Sequence, residues 1–450
     1  MTKQTILSLP KVLALALPTM VFAGYDLARR NYLAVYLTGD LKLSVATVGW
    51  LVVAVNLASI PAELLAGAFG DHGLRAYGRR QQWMVLGTLL IGASAIAMLI
   101  LQQSLQPAAI GLALISLVVG WALCNVSHGA WTLEVTGDSA QRARVFGWRS
   151  VFGIVGSIGF SVIATLPVFA ARSPFLVILL PVVVGACLTH ALLIASVPDR
   201  SPVPGKWLPG LLFRPLQLLV ANAPNRQLAA LFALNGAHTA ITATSFLYVV
   251  EFALALPEWG PKGVMVQSAS AAVGVLLTIR LSARKSPADI LRRTFWANLV
   301  LGLALIVIPP RTPAVLLLWS GIFGLFSMAD FMALRMMLGD RLDFHASANS
   351  NSPAAAAAHY AGFHLPFNLS GALAGGLLFL GYRLFRFEPS TAHAPEQAFV
   401  PVILLPSLLG CGLMVASLWI LAVFQRETAL VAADPVGSDI NLSNASAEQL

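Results

Sequence analysis

Long apolar runs recur along the whole chain, broken by short stretches rich in Gly, Pro and charge. About twelve runs reach the roughly 20 residues that a helix needs to cross about 30 Å of hydrocarbon. They centre near residues 25, 57, 90, 121, 157, 184, 239, 270, 298, 325, 368 and 412. In lipid every backbone N–H and C=O must be satisfied within the protein, so runs of this length predict helices. The pattern therefore predicts an all-α membrane protein with about twelve transmembrane helices in two six-helix bundles. The longest polar interruption in mid-chain, "PDRSPVPGKWLPGLLFRPLQLLVANAPNRQ", sets the boundary between them. We expect one bundle over residues 1–197, a linker with an interfacial segment over 198–227, and a second bundle over 228–426. The polar, acidic tail at 427–450 is expected to be disordered.

Composition agrees: 58% of the 450 residues are hydrophobic, 10% are charged, and the mean hydropathy is +0.79. The net charge of +9 is read through the positions of Lys and Arg. If the N-terminus is cytoplasmic, Arg75, Arg79, Arg80, Arg142, Arg144, Arg200, Lys206, Arg214, Arg226, Arg280, Arg284, Lys285, Arg292 and Arg293 fall on the inner side. Lys42, Arg172, Lys262, Arg311, Arg383 and Arg386 fall on the outer side. That excess predicts both termini in the cytoplasm of a bacterial inner membrane. The basic residues show no aromatic interleaving, so the charge reflects topology and lipid headgroups and implies no nucleic-acid partner. Cys124, Cys187 and Cys411 are scattered and predict neither a disulfide nor a metal site. No phosphate-binding loop, metal-ligand spacing or nucleophile elbow is present, so no enzyme, no cofactor and no metal is expected. Any energy would come from an ion gradient. A monomer is expected.

The first run is interrupted by charge at "GYDLARRNY", residues 24–32. Asp26 and Arg30 are one helical turn apart, and Asp26 can also reach Arg29. A charge at the bilayer centre costs about 2.5–3.5 kcal/mol on insertion scales, so such groups face the protein interior or a wet cavity. Asp26 can neutralise one guanidinium. The other needs a second anion, either Glu63 or an acidic group on a substrate. The alternative is a charge network that only fixes helix packing. Polar residues also recur on one face of the eleventh run (Tyr360, His364, Asn368) and of the seventh (Asn235, His238, Thr242). Asp330, in the tenth run, is expected to pair, with Arg335 as the nearest cation in sequence.

Two six-helix bundles joined by a linker is the arrangement of the major facilitator superfamily. The loop "GAFGDHGLRAYGRRQQW" resembles that superfamily's pattern between spans two and three. "EVTGDSAQRARVFGWRS", with Glu134, Thr136, Asp138, Arg142 and Arg149, resembles the glycoside-pentoside-hexuronide cation symporters, the melibiose-permease-like group. "NRQLAALFALNGAHTAITATSFLYVVEFALALPEW" and "ADFMALRMMLGDRLDF" resemble its seventh and tenth spans. The resemblance implies alternating access and a sugar, glycoside or uronide substrate moved by symport with H⁺ or Na⁺. It implies substrate contacts at Asp26 and at the cluster of Asn125, His128 and Trp131. Gating contacts are implied for Asp71, Arg79, Arg80, Asp138 and Arg142. Where the family has two acids in the second span, this chain has Ser59 and Glu63, and one carboxylate favours H⁺ over Na⁺. Asn368 stands where the family often has Lys.

The expected function is a cation-coupled symporter of a small polar solute. Glu63 and Ser59 form its coupling site, and Asp26, Arg29, Arg30, Asn125, His128, Trp131, Arg149, His238, Tyr360, His364 and Asn368 are candidates for the substrate site. The arginines make an acidic solute attractive. A lysolipid or other amphiphilic anion, or a transporter-shaped binding protein that no longer cycles, are the alternatives.

Overall fold

The computed structural model describes residues 7–72, 80–101, 106–136, 139–167, 173–197, 219–220, 222–348, 355–389 and 395–433. Side chains within 65–72, 133–134, 139–140, 142–143, 339–348, 355–362 and 428–433 are outside that description. The described residues form twelve long helices. In the first half these are α1 (Leu9–Asp40), α2 (Val45–His72), α3 (Arg80–Leu101), α4 (Pro107–Val135), α5 (Ser139–Thr165) and α6 (Pro174–Ser196). The second half has α7 (Ala223–Tyr248), α8 (Gly260–Ser282), α9 (Pro287–Ile306), α10 in two segments (Pro313–Ser327 and Ala329–Ala348), α11 (Ala355–Leu384) and α12 (Leu405–Ala433). Among the described residues ten helices are long and apolar enough to cross a membrane by themselves. The other two, α7 and α9, carry polar residues: Asn225, Asn235 and His238 are buried, while Arg226, Arg292 and Arg293 are exposed near the helix starts.

Two boundaries differ from the sequence expectation. The second bundle begins inside the range assigned to the linker, because Asn222 caps α7: its side chain accepts from the Asn225 N–H at 2.9 Å, with Pro224 in the first turn. The last helix runs on to Ala433. Residues 198–218, where an interfacial segment is expected, lie outside the described residues.

The halves repeat one another. α1 packs on α5 and α6, as α7 packs on α11 and α12. α4 lies against α2 and α3, as α10 lies against α8 and α9, and α3·α6 is matched by α9·α12. Across the halves the contacts are α2 with α11 and α5 with α8, which exchange under the same pseudo-two-fold relation. α1 also touches α7 through its Ala28–Tyr32 stretch.

The two ends of this interface are built differently. On the face where α1 ends and α2 begins, one apolar cluster takes residues from both halves, among them Leu37, Val45, Val48, Tyr248, Phe379 and Tyr382. The Thr38 and Tyr248 hydroxyls are hydrogen-bonded at 2.8 Å, Ser161 and Ser268 at 3.0 Å, and the Val45 N–H donates to Glu388 at 3.3 Å. Gly49 lets α2 lie directly on Phe379, where an added Cβ would stand 2.7 Å from that residue's Cβ. Toward the face where α1 begins and α12 ends, the apolar core of the described residues splits. Val12, Leu15, Met84, Trp131 and Val145 form a cluster wholly in the first half, and Phe232, Phe295, Leu334, Phe363 and Met414 one wholly in the second. Among the described residues the halves therefore share a core at one face and keep separate cores at the other.

The seal predicts a conformational phenotype. Gly49→Val wedges α2 from Phe379 and should shift the distance between spin labels placed at Ser44 and Glu258 to longer, broader values than in the parent. An unchanged distribution would show that the contact does not hold this face closed.

Candidate substrate and coupling site

The charges of α1 sit where its hydrogen bonding loosens into a π turn over Ala28–Tyr32. Such turns insert a residue into a helix and cluster at functional sites. Here the turn brings both guanidiniums to one oxygen of Asp26, with Arg29 at 3.6 Å and Arg30 at 3.9 Å. Arg29 also donates to the Asn56 side-chain carbonyl on α2. The Asn56 amide nitrogen donates to the Val52 carbonyl at 2.9 Å, which fixes the amide with its oxygen toward Arg29. Asp26 and Arg30 are each about a third exposed, so they face open space inside the protein and not packed side chains.

Glu63 lies two turns beyond Asn56 on α2, half-buried and within Coulombic reach of Asp26, Arg29 and Arg30. Between them Ser59 is buried, its hydroxyl donating to the Asn56 carbonyl at 2.7 Å. Pro61 lies inside the same helix. It has no N–H to give, which frees the carbonyl one turn earlier, at Leu57, beside Ser59 and Glu63.

The second half contributes Arg335, which the sequence reading used only as a possible partner for Asp330. Its guanidinium stands 4.0 Å over the Phe331 ring. Phe331 meets the edge of His364 on α11, at 5.7 Å between ring centroids, and His364 lies 6.2 Å from Phe232 and from Phe367. Arg30 and Arg335 lie within Coulombic reach of each other and of His364. Among the described residues, charged groups of the two halves thus converge across the cleft: the guanidiniums of Arg29, Arg30 and Arg335 and the carboxyls of Asp26 and Glu63. One charged residue in an otherwise apolar stretch of the tenth run was the signal for Arg335 in the sequence.

Other expected site residues are placed elsewhere. His128 is fully buried, its Nε2–H donating to the Leu15 carbonyl at 2.6 Å, with its ring 5.4 Å from Phe22. Trp131 is fully buried in the first half's own core. In this conformation both are enclosed within the first half and do not face the cleft, His128 on the Leu15 carbonyl and Trp131 among Val12, Leu15, Met84 and Val145. His238 is likewise a packing group: it is buried, and its ring lies against Gly410 of α12. Arg149 ties α5 to its neighbours through Thr19 at 3.3 Å and Thr132 at 3.4 Å, and stands 5.0 Å over the Phe146 ring on its own helix. Asn125 and Asn368 are half-buried on α4 and α11. Arg80 is buried at the start of α3. Arg79, Asp138 and the side chains of Asp71, Arg142 and Tyr360 lie outside the described residues.

Asp330 does not pair with Arg335. It is buried, accepting from the Asn235 amide of α7 at 2.8 Å, the Asn298 amide of α9 at 3.4 Å and the Phe331 N–H at 2.7 Å. About 1.4 turns separate Asp330 from Arg335 along α10, and the guanidinium stands over the Phe331 ring instead.

Residues 14–428 match a family described as MFS/sugar transport protein. No curated protein matches at a significant level. Among solved structures, the nucleoside transporter NupG, in a mutant form, superposes with a TM-score of 0.66 at 16% identity, covering 92% of this chain and 98% of that one. The peptide transporter POT, also a mutant, gives a TM-score of 0.65 at 14% identity, covering 92% and 94%. At these identities the likeness concerns the fold.

The shared carboxylate sets an expectation. Asp26→Asn leaves Arg29 with Asn56 alone and Arg30 with no ion pair on α1. It should cost about 1–2 kcal/mol, less than a dry buried pair because both groups are part-exposed. Thermal unfolding in detergent would show it, and Asp26→Asn/Arg30→Gln, which removes one charge of each sign, should recover much of the loss.

Proposed function

Because the chain belongs to the MFS/sugar transport protein family, and is accordingly a multi-pass membrane secondary transporter, we infer that it moves a carboxylated sugar, such as a uronide, by symport with H⁺. The observation that carries this reading is the pair of neighbouring guanidiniums on α1, Arg29 and Arg30, which share one oxygen of Asp26, with Arg335 of the other half within Coulombic reach of Arg30. A carboxylate on the solute gives these cations a further anion, and a guanidinium recognises it through two parallel N–H donors. Phe331 and Phe232 offer apolar ring faces beside those donors, suited to the C–H face of a sugar ring.

Coupling follows from the same bookkeeping of charge. Ionised Glu63 competes with the solute carboxylate for the guanidiniums. A proton on Glu63 frees them, so solute and proton enter together and the loaded carrier carries no more uncompensated charge through closure than the empty one. The excess of Lys and Arg along the sequence on the side where α1 begins and α12 ends supports a cytoplasmic position for that side. The conformation is then inward-open, with Asp26 and Arg30 in contact with the cytoplasmic cleft.

Proteoliposomes test the reading with glucuronate as probe. An inwardly directed proton gradient should drive accumulation. Glu63→Gln should abolish accumulation yet keep exchange of internal for external glucuronate. If a Na⁺ gradient drives uptake without a pH effect, proton coupling at Glu63 is wrong. Arg335→Gln and Arg30→Gln should each raise KM for glucuronate about tenfold or more, the worth of a charge-assisted hydrogen bond, and leave uptake of a neutral methyl glycoside nearly unchanged. Equal losses for both solutes would remove the carboxylate from the reading.

A further inference from the structure

Outside the cleft, the second half contains a buried acid that has no counter-ion among the described residues. Asp330 is 3% exposed, and the donors it accepts from are neutral: two side-chain amides and one backbone N–H. Among the described residues no charged group acts on it at Coulombic distance. The ionisable side chains described on the packed elements turn elsewhere. His238 of α7 lies against Gly410, and Arg335 of α10 and His364 of α11 both meet Phe331. α9 presents Asn298, and its Asp289 and Arg292 pair with one another at 2.9 Å at the start of the helix.

The amides carry a second signal. Asn235 is 1% exposed and Asn298 is 3% exposed, and the side-chain carbonyl oxygen of each is buried without a hydrogen-bond partner. Buried polar atoms are rarely left this way. Nitrogen and oxygen of an amide exchange places by a half-turn of the side chain, so these two residues can point two N–H groups or two carbonyl oxygens at the Asp330 carboxyl. A carboxylate facing two amide oxygens is a donor set for a proton or a hard monovalent cation, which takes oxygen ligands.

The local backbone fits such a role. α10 is interrupted at Met328, and its second segment starts at Ala329, with Asp330 in the first turn. Interrupted membrane helices recur at the ion sites of transporters because they bring unsatisfied backbone groups to mid-membrane.

We propose that Asp330, Asn235 and Asn298 form a second cation-accepting site, within the second half and separate from Glu63, occupied by H⁺ or by Na⁺. It links three helices, α7, α9 and α10, that must move as one body, and a cation there removes the single uncompensated charge of their core. The site does not depend on the identity of the transported solute.

Thermal unfolding of the full-length protein in detergent tests it without a solute. Two arms are run: NaCl against choline chloride at alkaline pH, and a pH series from alkaline to acidic in choline chloride. In the parent the Tm should rise by a few degrees with Na⁺ in the first arm if the occupant is sodium, or with falling pH in the second if it is a proton. The response should persist in Glu63→Gln and be lost in Asp330→Asn. Asn298→Ala keeps the carboxyl and provides a variant if Asp330→Asn does not fold. It should weaken the apparent cation affinity about tenfold or more, as loss of an outer partner does at metal sites. An unchanged response in both Asp330→Asn and Asn298→Ala, or a parent that responds in neither arm, overturns the proposal. A response abolished by Glu63→Gln alone also overturns it while leaving coupling at Glu63 in place.

Discussion

The cost of an unpaired charge in hydrocarbon governs where the chemistry of this protein sits. A membrane helix that carries two arginines in succession must find them a carboxylate and a polar neighbour, and α1 does so with Asp26 on its own turn and Asn56 on α2. Meeting that demand brings α1 against α2 in mid-membrane and leaves Arg30 facing the cleft. The π turn at Ala28–Tyr32 is the backbone adjustment that lets one carboxylate oxygen serve both guanidiniums. The rest of the cleft answers to the same charges: Glu63 on α2 from one half and Arg335 on α10 from the other come within Coulombic range of Arg30.

The pseudo-two-fold repeat explains how such a cleft can change its exposure. Each half has its own set of helix contacts, and the halves meet chiefly through α2·α11 and α5·α8. One face is held by a shared apolar cluster with three polar ties, while the other leaves two cores that do not merge. Rocking about the interface exchanges which face is closed and needs no rearrangement inside either half. The interior polar residues that stay put during such a motion, His128 against Leu15 and Asn235 against Asp330, belong to the rigid bodies. Those that face the cleft, Arg30 and Arg335, belong to the moving boundary.

This division separates two kinds of intramembrane polar residue that are alike in sequence. His128, His238, Asp330 and Arg335 are all polar groups set among apolar residues in membrane helices. The first three are satisfied or enclosed within one half, by a backbone carbonyl, a glycine surface and two amides. Arg335 is held by a ring face and remains exposed. Polarity marks a residue as significant in a membrane. Only its neighbours decide between packing and recognition.

The sequence by itself determined the class of fold, because hydrocarbon permits few structures and runs of twenty apolar residues can be little else than spanning helices. It also determined that Asp26 would find a guanidinium on its own helix, since residues three and four apart on a helix meet whatever surrounds them. Both are local consequences of periodicity and of the solvent. Contacts between helices were decided only by the tertiary structure: the amide of Asn56 on Arg29, the burial of Trp131, the partners of Asp330 and the approach of Arg335 to Arg30. These depend on the azimuth at which each helix packs, and a rotation of one residue, about 100°, sends a side chain from a cleft into a core. Apolar faces that are greasy all round set no such azimuth. It is set by close approaches such as Gly49 on Phe379, which join positions more than three hundred residues apart in the chain.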